Sequence, residues 1–167
     1  PEGIELKTNY AKKFKNGVYK YLGRFTDYSL GTTEDDIGSG FELDNNNLFL
    51  LTTYKGKLNN QLKAQFGLSY SKNSNDSQIF SENFIEPLDI DSYDDLLQFR
   101  TVLTKKFFGK SKINFGIHLF DQSSEFSNYN YEFNNDDQPE DVNYDYSYII
   151  IDEFLSTAFT EIDLRLF

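Results

Sequence analysis

The chain has 167 residues and a formal net charge of -11, with a sequence pI near 4.5. An acidic surface without a basic stripe cannot neutralise phosphates, so the composition argues against a nucleic-acid partner. Cysteine is absent and histidine occurs once, which excludes disulfides and thiolate metal sites and leaves little scope for a histidine-rich zinc site.

Residue usage favours an all-β chain. Tyr and Phe make up 17 % of the residues, and runs rich in Asn, Asp and Ser separate the apolar segments. The longest apolar runs, such as residues 48–51, are far shorter than the roughly 18 residues of a membrane helix. Any membrane role therefore has to be played by strands. Pro1-Glu2-Gly3 has neither a basic nor an apolar character, so we expect any export signal to lie upstream or to have been removed.

The first two predicted strands cover about residues 3–14 and 17–33. Lys15-Asn16-Gly17 between them predicts a tight hairpin, with Gly17 available for a positive φ. Because strand side chains alternate between two faces, Lys20 and Arg24 lie opposite the apolar face of the second strand. That face carries Tyr19, Tyr21, Gly23 and Phe25.

The third predicted strand covers about residues 45–58, and Asn59-Asn60 turns it into the fourth. Residues 61–71 alternate between apolar and polar without an error. This stretch matches the 9–11 residues that a tilted strand needs to cross a bilayer, whereas strands of soluble proteins more often have 5 or 6. The two apolar faces comprise Leu48, Leu50, Thr52, Tyr54 and Leu58, and Leu62, Ala64, Phe66, Leu68 and Tyr70.

The last three predicted strands cover about residues 94–108, residue 112 onward, and about residues 146–167. Gly109-Lys110-Ser111 predicts a tight turn between the fifth and the sixth. Their apolar faces comprise Leu97, Phe99, Thr101, Leu103 and Phe107; Ile113, Phe115, Ile117 and Leu119; and Phe154, Ser156, Ala158, Thr160, Ile162, Leu164 and Leu166.

The connections alternate strictly between short and long. Short turns are predicted near 15–17, 59–60 and 109–111, and long acidic loops at about 34–44, 74–93 and 127–145. This alternation is typical of bacterial outer-membrane barrels, which have tight periplasmic turns and long extracellular loops. Charged residues avoid the apolar faces, except for Lys12 and Lys105, which lie near short turns where a long stem can reach the interface.

The number of strands predicts an incomplete barrel. Bacterial single-chain barrels have an even number of strands, with at least 8, whereas we predict seven here. We therefore expect residues 1–167 to form one partial domain, an antiparallel transmembrane β-barrel sector whose two edges need partner strands.

Several segments resemble a known family. Pro1-Glu2-Gly3-Ile4-Glu5-Leu6, residues 10–17, residues 62–71 and residues 158–164 are similar to barrel strands of Bacteroidota TonB-dependent outer-membrane receptors of the nutrient-uptake type. The resemblance implies a larger, 22-stranded barrel in the bacterial outer membrane, filled by an N-terminal plug and energised through a TonB-type protein. It also implies that the wall contacts the bilayer, the remaining strands and the plug, and it leaves open whether a surface lipoprotein takes part. We identify neither a plug nor a TonB box in this sequence.

Two groups of residues invite a binding hypothesis. Acidic clusters could offer oxygen ligands to Ca²⁺, but neither has the spacing of an EF-hand, and solvated loops are the preferred interpretation. Alternating aromatic residues flank the last long loop and could form a platform for a sugar or a peptide. The preferred interpretation is that they form cross-strand aromatic pairs. The acidic clusters are Asp89, Asp91, Asp94 and Asp95, and Asp136, Asp137, Glu140 and Asp141; the aromatics are Tyr129, Tyr131, Phe133, Tyr144, Tyr146 and Tyr148.

A third group lies on the polar faces of the last strands. His118 could titrate or bind a metal, but a hydrogen-bonded lumen residue is the preferred interpretation because no second histidine is present. Charged residues near it predict a lattice that grips the plug or lines a solute path: Arg100, Glu161, Asp163 and Arg165.

The sequence contains no nucleophile elbow, phosphate loop or metal-binding run, so we assign no catalytic, cofactor or metal residue and expect no enzyme. Ligand-binding residues are left unassigned. Two alternatives remain open: a soluble all-β carbohydrate-binding module, and an outer-membrane barrel of another kind, such as a porin or an assembly component.

Overall fold

The chain forms one antiparallel sheet. A computed structural model of the chain describes residues 2–34, 39–80, 88–107, 111–133 and 142–164. Seven strands lie side by side in chain order, which confirms the predicted all-β antiparallel architecture. They are β1 (Glu2–Phe14), β2 (Gly17–Glu34), β3 (Ser39–Lys57), β4 (Leu62–Phe80), β5 (Leu88–Lys106), β6 (Lys112–Phe133) and β7 (Val142–Asp163). No helix among the described residues has the length and apolar character needed to span a membrane.

The register places the apolar faces of all strands on one side of the sheet. Residues that lie directly opposite each other in an antiparallel ladder project from the same face. Leu68 of β4 pairs with Thr52 of β3 and with Phe99 of β5. The same row continues across the sheet through Tyr10, Tyr21, Thr52, Leu68, Phe99, Leu119 and Ser156. We call this side the apolar face and the opposite side the polar face.

The sheet is a single layer without a hydrophobic core. Among the described residues, Ala64 is the only buried hydrophobic residue, while Leu68 and Phe154 of the apolar face are 43 % and 67 % exposed. In the part of the chain that is described, each strand contacts only its neighbours in sequence, so β1 and β7 are two open edges. The accessible surface is 12622 Å² for 19.5 kDa, whereas a globular protein of this mass exposes roughly 8,500 Å². The apolar face therefore lacks a cover within the described chain.

The strands are longer than predicted, so the predicted boundaries of the long loops are wrong. Residues 39–44, 74–80, 88–93, 127–133 and 142–145 continue the strands, while residues 35–38, 81–87 and 134–141 lie outside the described parts. In the extensions of β3 and β5 the apolar and polar sides are exchanged: Leu43 and Ile90 lie on the polar face, whereas Asp44 and Asp91 lie on the apolar face. The apolar alternation of the band is therefore interrupted, although the backbone pairing continues.

The two described short turns are built differently. Lys15-Asn16 joins β1 to β2, and Gly17 is already the first strand residue. The expected positive φ at Gly17 is wrong. A Cβ there would lie 2.8 Å from Tyr54 Oη and 2.9 Å from Gly56 Cα, so close approach of the neighbouring strand explains the glycine. At the second turn, Asn59 Oδ1 accepts hydrogen bonds from the backbone N–H groups of Gln61 and Leu62, at 2.9 and 2.8 Å. Most of the third turn, residues 108–110, lies outside the described chain.

Candidate functional site: the two faces of the sheet

The apolar face carries a band of hydrophobic side chains from β1 to β7. On β4 the band extends from Leu62 to Tyr70, which is about the length a tilted strand needs to cross hydrocarbon. Lys12 and Lys105 project from this face near the short turns, as expected from the sequence. The Lys12 ammonium lies 5.3 Å from the centroid of the Phe14 ring, so its charge is held at the margin of the band.

Beyond the band, the apolar face becomes acidic. Asp44, Asp76 and Asp91 are direct cross-strand partners on β3, β4 and β5. Partial burial raises the pKa of Asp76, and the neighbouring carboxylates of Asp91 and Asp44 raise it further. Ser127 Oγ donates a weak hydrogen bond to Asp91 Oδ2 at 3.4 Å.

The predicted acidic cluster of β5 does not converge on one point. Asp89, Asp91 and Asp95 project from the apolar face, whereas Asp94 projects from the polar face, where it accepts a hydrogen bond from Ser124 Oγ at 2.6 Å. Asp95 accepts hydrogen bonds from two tyrosine hydroxyls. No group of three or more His, Cys, Asp or Glu within the described residues is arranged to hold a metal ion. The second predicted cluster, residues 136, 137, 140 and 141, lies outside the described residues.

The tyrosines of β6 and β7 form a cross-strand ladder on the extension of the apolar face. Tyr129 and Tyr146 are direct partners with ring centroids 4.5 Å apart, and Tyr146 and Tyr148 follow at 6.2 Å with ring planes 12° apart. Partial burial raises the pKa of both Tyr146 and Tyr148. This geometry is that of the cross-strand pairs preferred from the sequence. The side chains of Tyr131, Phe133 and Tyr144 lie outside the described part.

The polar face carries an amide network at the level of the strand extensions. Asn45 is buried, and its Nδ2 donates to Asn73 Oδ1 at 3.0 Å and to Asn75 Oδ1. Asn47 Nδ2 also donates to Asn73 Oδ1, at 3.3 Å. Asn75 Nδ2 donates in turn to Ser92 Oγ on β5, at 3.0 Å, so amides and one hydroxyl join β3, β4 and β5 without charge.

Within the described ranges, charged residues of the polar face form local ion pairs. On β1 and β2, Glu5 lies 2.8 Å from Arg24 and 2.9 Å from Lys7. The hydrogen bond from Lys7, together with both positive charges, lowers the pKa of Glu5. Lys112 lies 3.6 Å from Asp163 on β7.

The predicted lumen lattice is only partly brought together. His118 projects from the polar face and is the direct cross-strand partner of Arg100. Glu161 accepts a hydrogen bond from Asn114 Nδ2 at 3.0 Å rather than contacting Arg100. Arg165 lies outside the described residues.

A cluster of lysines on the polar face was missed from the sequence. Three strands contribute to it: β1, β3 and β4. The lysines line a concavity of about 430 Å³ beside the short turns, and they are Lys13, Lys55, Lys57 and Lys63. Each lysine is ordinary when its own strand is considered. The cluster becomes visible only when the register places the strands side by side.

Comparison with known proteins adds a likeness to a solved structure. No protein-family model matches the sequence, and no curated protein matches it. The sheet is similar to the ferric yersiniabactin uptake receptor FyuA from Yersinia pestis, with a TM-score of 0.56 and 14 % sequence identity. The match covers 95 % of this chain and 25 % of that receptor, so the chain spans about a quarter of its length.

The sheet resembles the barrel of a TonB-dependent receptor. At this identity the likeness concerns the fold. It carries no information on the ligand.

Proposed function

We propose that this chain forms part of the barrel wall of a TonB-dependent receptor that imports a nutrient across the bacterial outer membrane. The observation that carries the proposal is the apolar band, which crosses all seven strands on one face of a single-layer sheet. The likeness to the FyuA barrel supports it independently of residue chemistry.

The physical argument concerns what covers the apolar face. A sheet in water buries its apolar side against a second layer, and the described chain supplies no such layer. Hydrocarbon is the other environment that can cover Leu68, Leu97 and Phe154 without a second sheet. A soluble carbohydrate-binding module is therefore the weaker candidate.

The proposal includes partners that the resemblance implies. The open edges β1 and β7 would pair with the remaining strands of the barrel, because unpaired edges are prone to aggregation. A plug would fill the interior, a TonB-type protein would energise transport through that plug, and a surface lipoprotein would assist ligand capture. Bacteroidota origin belongs to the same proposal.

Cysteine scanning tests the wall. Residues 1–167 contain no cysteine, so a single cysteine introduced at residues 65–71 is unique within this part of the wall. We expect Gln65→Cys, Ser69→Cys and Ser71→Cys to react with a water-soluble maleimide in outer-membrane vesicles. Phe66→Cys and Leu68→Cys should react only after detergent is added. Equal labelling at every position, or recovery of the chain from the soluble fraction, would overturn the proposal.

Conductance distinguishes a receptor from a porin. We expect the purified protein to give no steady ion current in a planar bilayer, because a plug closes the barrel of a receptor. Urea at a concentration that loosens the plug but spares the strands should open a current. A large open current without urea would favour the porin alternative.

A further inference from the structure

A recess lies on the apolar face at the end of the band that is farther from the short turns. It has a volume of about 520 Å³ and is formed by residues of β4, β5, β6 and β7. Aromatic, apolar and acidic side chains share its lining, which includes Tyr70, Tyr93, Asp95, Leu97, Asp121 and Asp152. Aromatic and apolar walls with a few convergent polar groups are typical of a site for a small ligand group.

The register places the recess across the boundary of the band. The last cross-strand row of the band comprises Tyr70, Leu97, Asp121 and Phe154. The next row away from the short turns comprises Lys72, Asp95, Ser123 and Asp152. A molecule in the recess would therefore contact apolar side chains at one end and carboxylates at the other. On a face covered by hydrocarbon, this is the level at which the lipid headgroups begin.

Two aromatic rings of the recess are held in place by one carboxylate. Asp95 accepts hydrogen bonds from the Tyr70 hydroxyl at 3.0 Å and from the Tyr93 hydroxyl at 3.1 Å. Rings that are fixed in this way lose little conformational freedom when a ligand binds. The Lys72 ammonium lies 5.0 Å from the centroid of the Tyr93 ring, so this ring already attracts one ammonium group of the chain itself.

The hydroxyl groups that line the recess already donate within the protein. Those of the two tyrosines donate to Asp95, and Ser123 Oγ donates to Asp152 Oδ1 at 2.6 Å. The hydroxyl oxygens therefore have lone pairs left to offer, and the exposed carboxylates of Asp121 and Asp152 are acceptors as well. A phosphate group would bring further acceptors and further negative charge. An ammonium group brings N–H donors and positive charge, so it is the complementary ligand group.

Position and chemistry together identify the occupant. The layer directly beyond the hydrocarbon consists of lipid headgroups, and the recess lies at that level on the apolar face. We propose that the recess binds the headgroup of a membrane lipid that carries an ammonium group. The acyl chains of this lipid lie along Leu97 and Phe154. Its ammonium group lies near Asp95, Asp121 and Asp152.

This inference rests on the proposed function, because it takes the apolar face to be the side of the wall that contacts lipid. It goes beyond that proposal by naming the class of lipid that one place on the wall selects. A wall that only needs hydrocarbon would accept any headgroup at this level.

Native mass spectrometry of the protein with bound lipid tests the selection. The protein as its gene encodes it is purified in detergent and mixed with one of three lipids that have the same acyl chains. Phosphatidylethanolamine has a primary ammonium group, phosphatidylcholine has a methylated one without N–H donors, and phosphatidylglycerol has a net negative headgroup. We expect the protein to retain phosphatidylethanolamine about fivefold more strongly than phosphatidylglycerol, with phosphatidylcholine between them.

Matched variants locate the selection on the wall. The recess variant, Asp121→Asn with Asp152→Asn, removes two exposed carboxylates from the recess and should abolish the preference. The control variant, Asp27→Asn with Asp44→Asn, removes two exposed carboxylates from the same face outside the recess and should leave the preference unchanged. If the recess variant fails to assemble, the comparison of the three lipids on the wild-type protein still decides.

Each outcome decides the inference. A preference for phosphatidylethanolamine that disappears in the recess variant and remains in the control variant supports it. Equal or stronger retention of phosphatidylglycerol, or a preference that survives in the recess variant, overturns it and leaves the proposed function intact. Retention of phosphatidylglycerol that requires added CaCl₂ would show a site for a divalent cation and would also overturn it. Recovery of the chain outside the membrane would remove the inference together with the proposed function.

Discussion

Two arginine substitutions at adjacent positions of β4 test whether the apolar face contacts lipid. Leu68 projects from the apolar face and is 43 % exposed, whereas Ser69 projects from the polar face. Leu68→Arg and Ser69→Arg add the same side chain to the same strand at nearly the same depth. Only the side of the sheet differs.

The expected magnitude follows from depth in the band. Phe66 is the middle of the Leu62–Tyr70 stretch, and Leu68 lies two residues along a tilted strand, or about 5 Å in depth. Arginine facing lipid costs about 2–4 kcal/mol at the midplane and about 0–1 near the interface. We therefore expect Leu68→Arg to lower the free energy of unfolding by about 2–3 kcal/mol. Ser69→Arg replaces only a weak hydrogen bond to Gln98, at 3.4 Å, so we expect a change within about 0.5 kcal/mol.

The assay is urea unfolding of the protein in lipid vesicles, followed by the gel mobility of the folded form. Both variants must be compared at the same lipid composition, because bilayer thickness changes the depth of each position. In water a side chain as exposed as Leu68 would tolerate arginine almost as well as Ser69 does. Equal stabilities of the two variants would therefore refute lipid contact.

Three further predictions concern contacts between neighbouring strands. A Cβ at Gly116 would collide with the ring of its cross-strand partner Phe159, so Gly116→Ala should lower the free energy of unfolding by about 1 kcal/mol, measured by urea titration. Partial burial and nearby carboxylates raise the pKa of Asp76, so its contribution to stability is fully present below pH 3.8 and is lost as pH rises through the raised pKa. Asp76→Asn should therefore stabilise the protein at pH 7 by about 0.5 kcal/mol, a small value because the side chain is exposed, and should flatten the pH profile of unfolding. Asn45→Asp should lower the free energy of unfolding at pH 7 more than Asn45→Ala does, as measured by urea titration. The reason is that the new carboxylate would face the two amide oxygens that now accept hydrogen bonds from Asn45.

Each of these has its own control. The penalty of Gly116→Ala should vanish in the double variant with Phe159→Ala, and a penalty that persists would show that the ring is not its cause. For Asp76, an unchanged pH profile in the asparagine variant would contradict the argument. For Asn45, the free energies of unfolding of the aspartate and alanine variants should differ less at low pH, where the new carboxyl group is protonated.

The local pattern of apolar and polar residues was sufficient to predict much of the fold. Alternation with a period of two residues identified all seven strands and assigned the apolar face of each, because that period depends only on consecutive residues. It also located the turns at Asn16 and Asn60. It failed in the strand extensions around Asn75 and Tyr129, which were predicted as loops because they are rich in Asn, Asp and Ser.

The grouping of side chains on the two faces depends on pairing between strands that are far apart in the sequence. Sequence alone grouped Asp94 with Asp95, yet adjacent strand residues project from opposite faces, so the acidic cluster divides between the two sides of the sheet. Conversely, Lys57 and Lys63 lie on different strands and become neighbours only through the register.

The sequence by itself determined that each segment has one apolar and one polar side, because the local backbone geometry of a strand sets that division. Tertiary structure alone decided that all the apolar sides share one uncovered face and that the lysines converge at one end of the other. Those arrangements arise from hydrogen bonds between strands far apart in the chain, and no local period encodes which residues those bonds bring together.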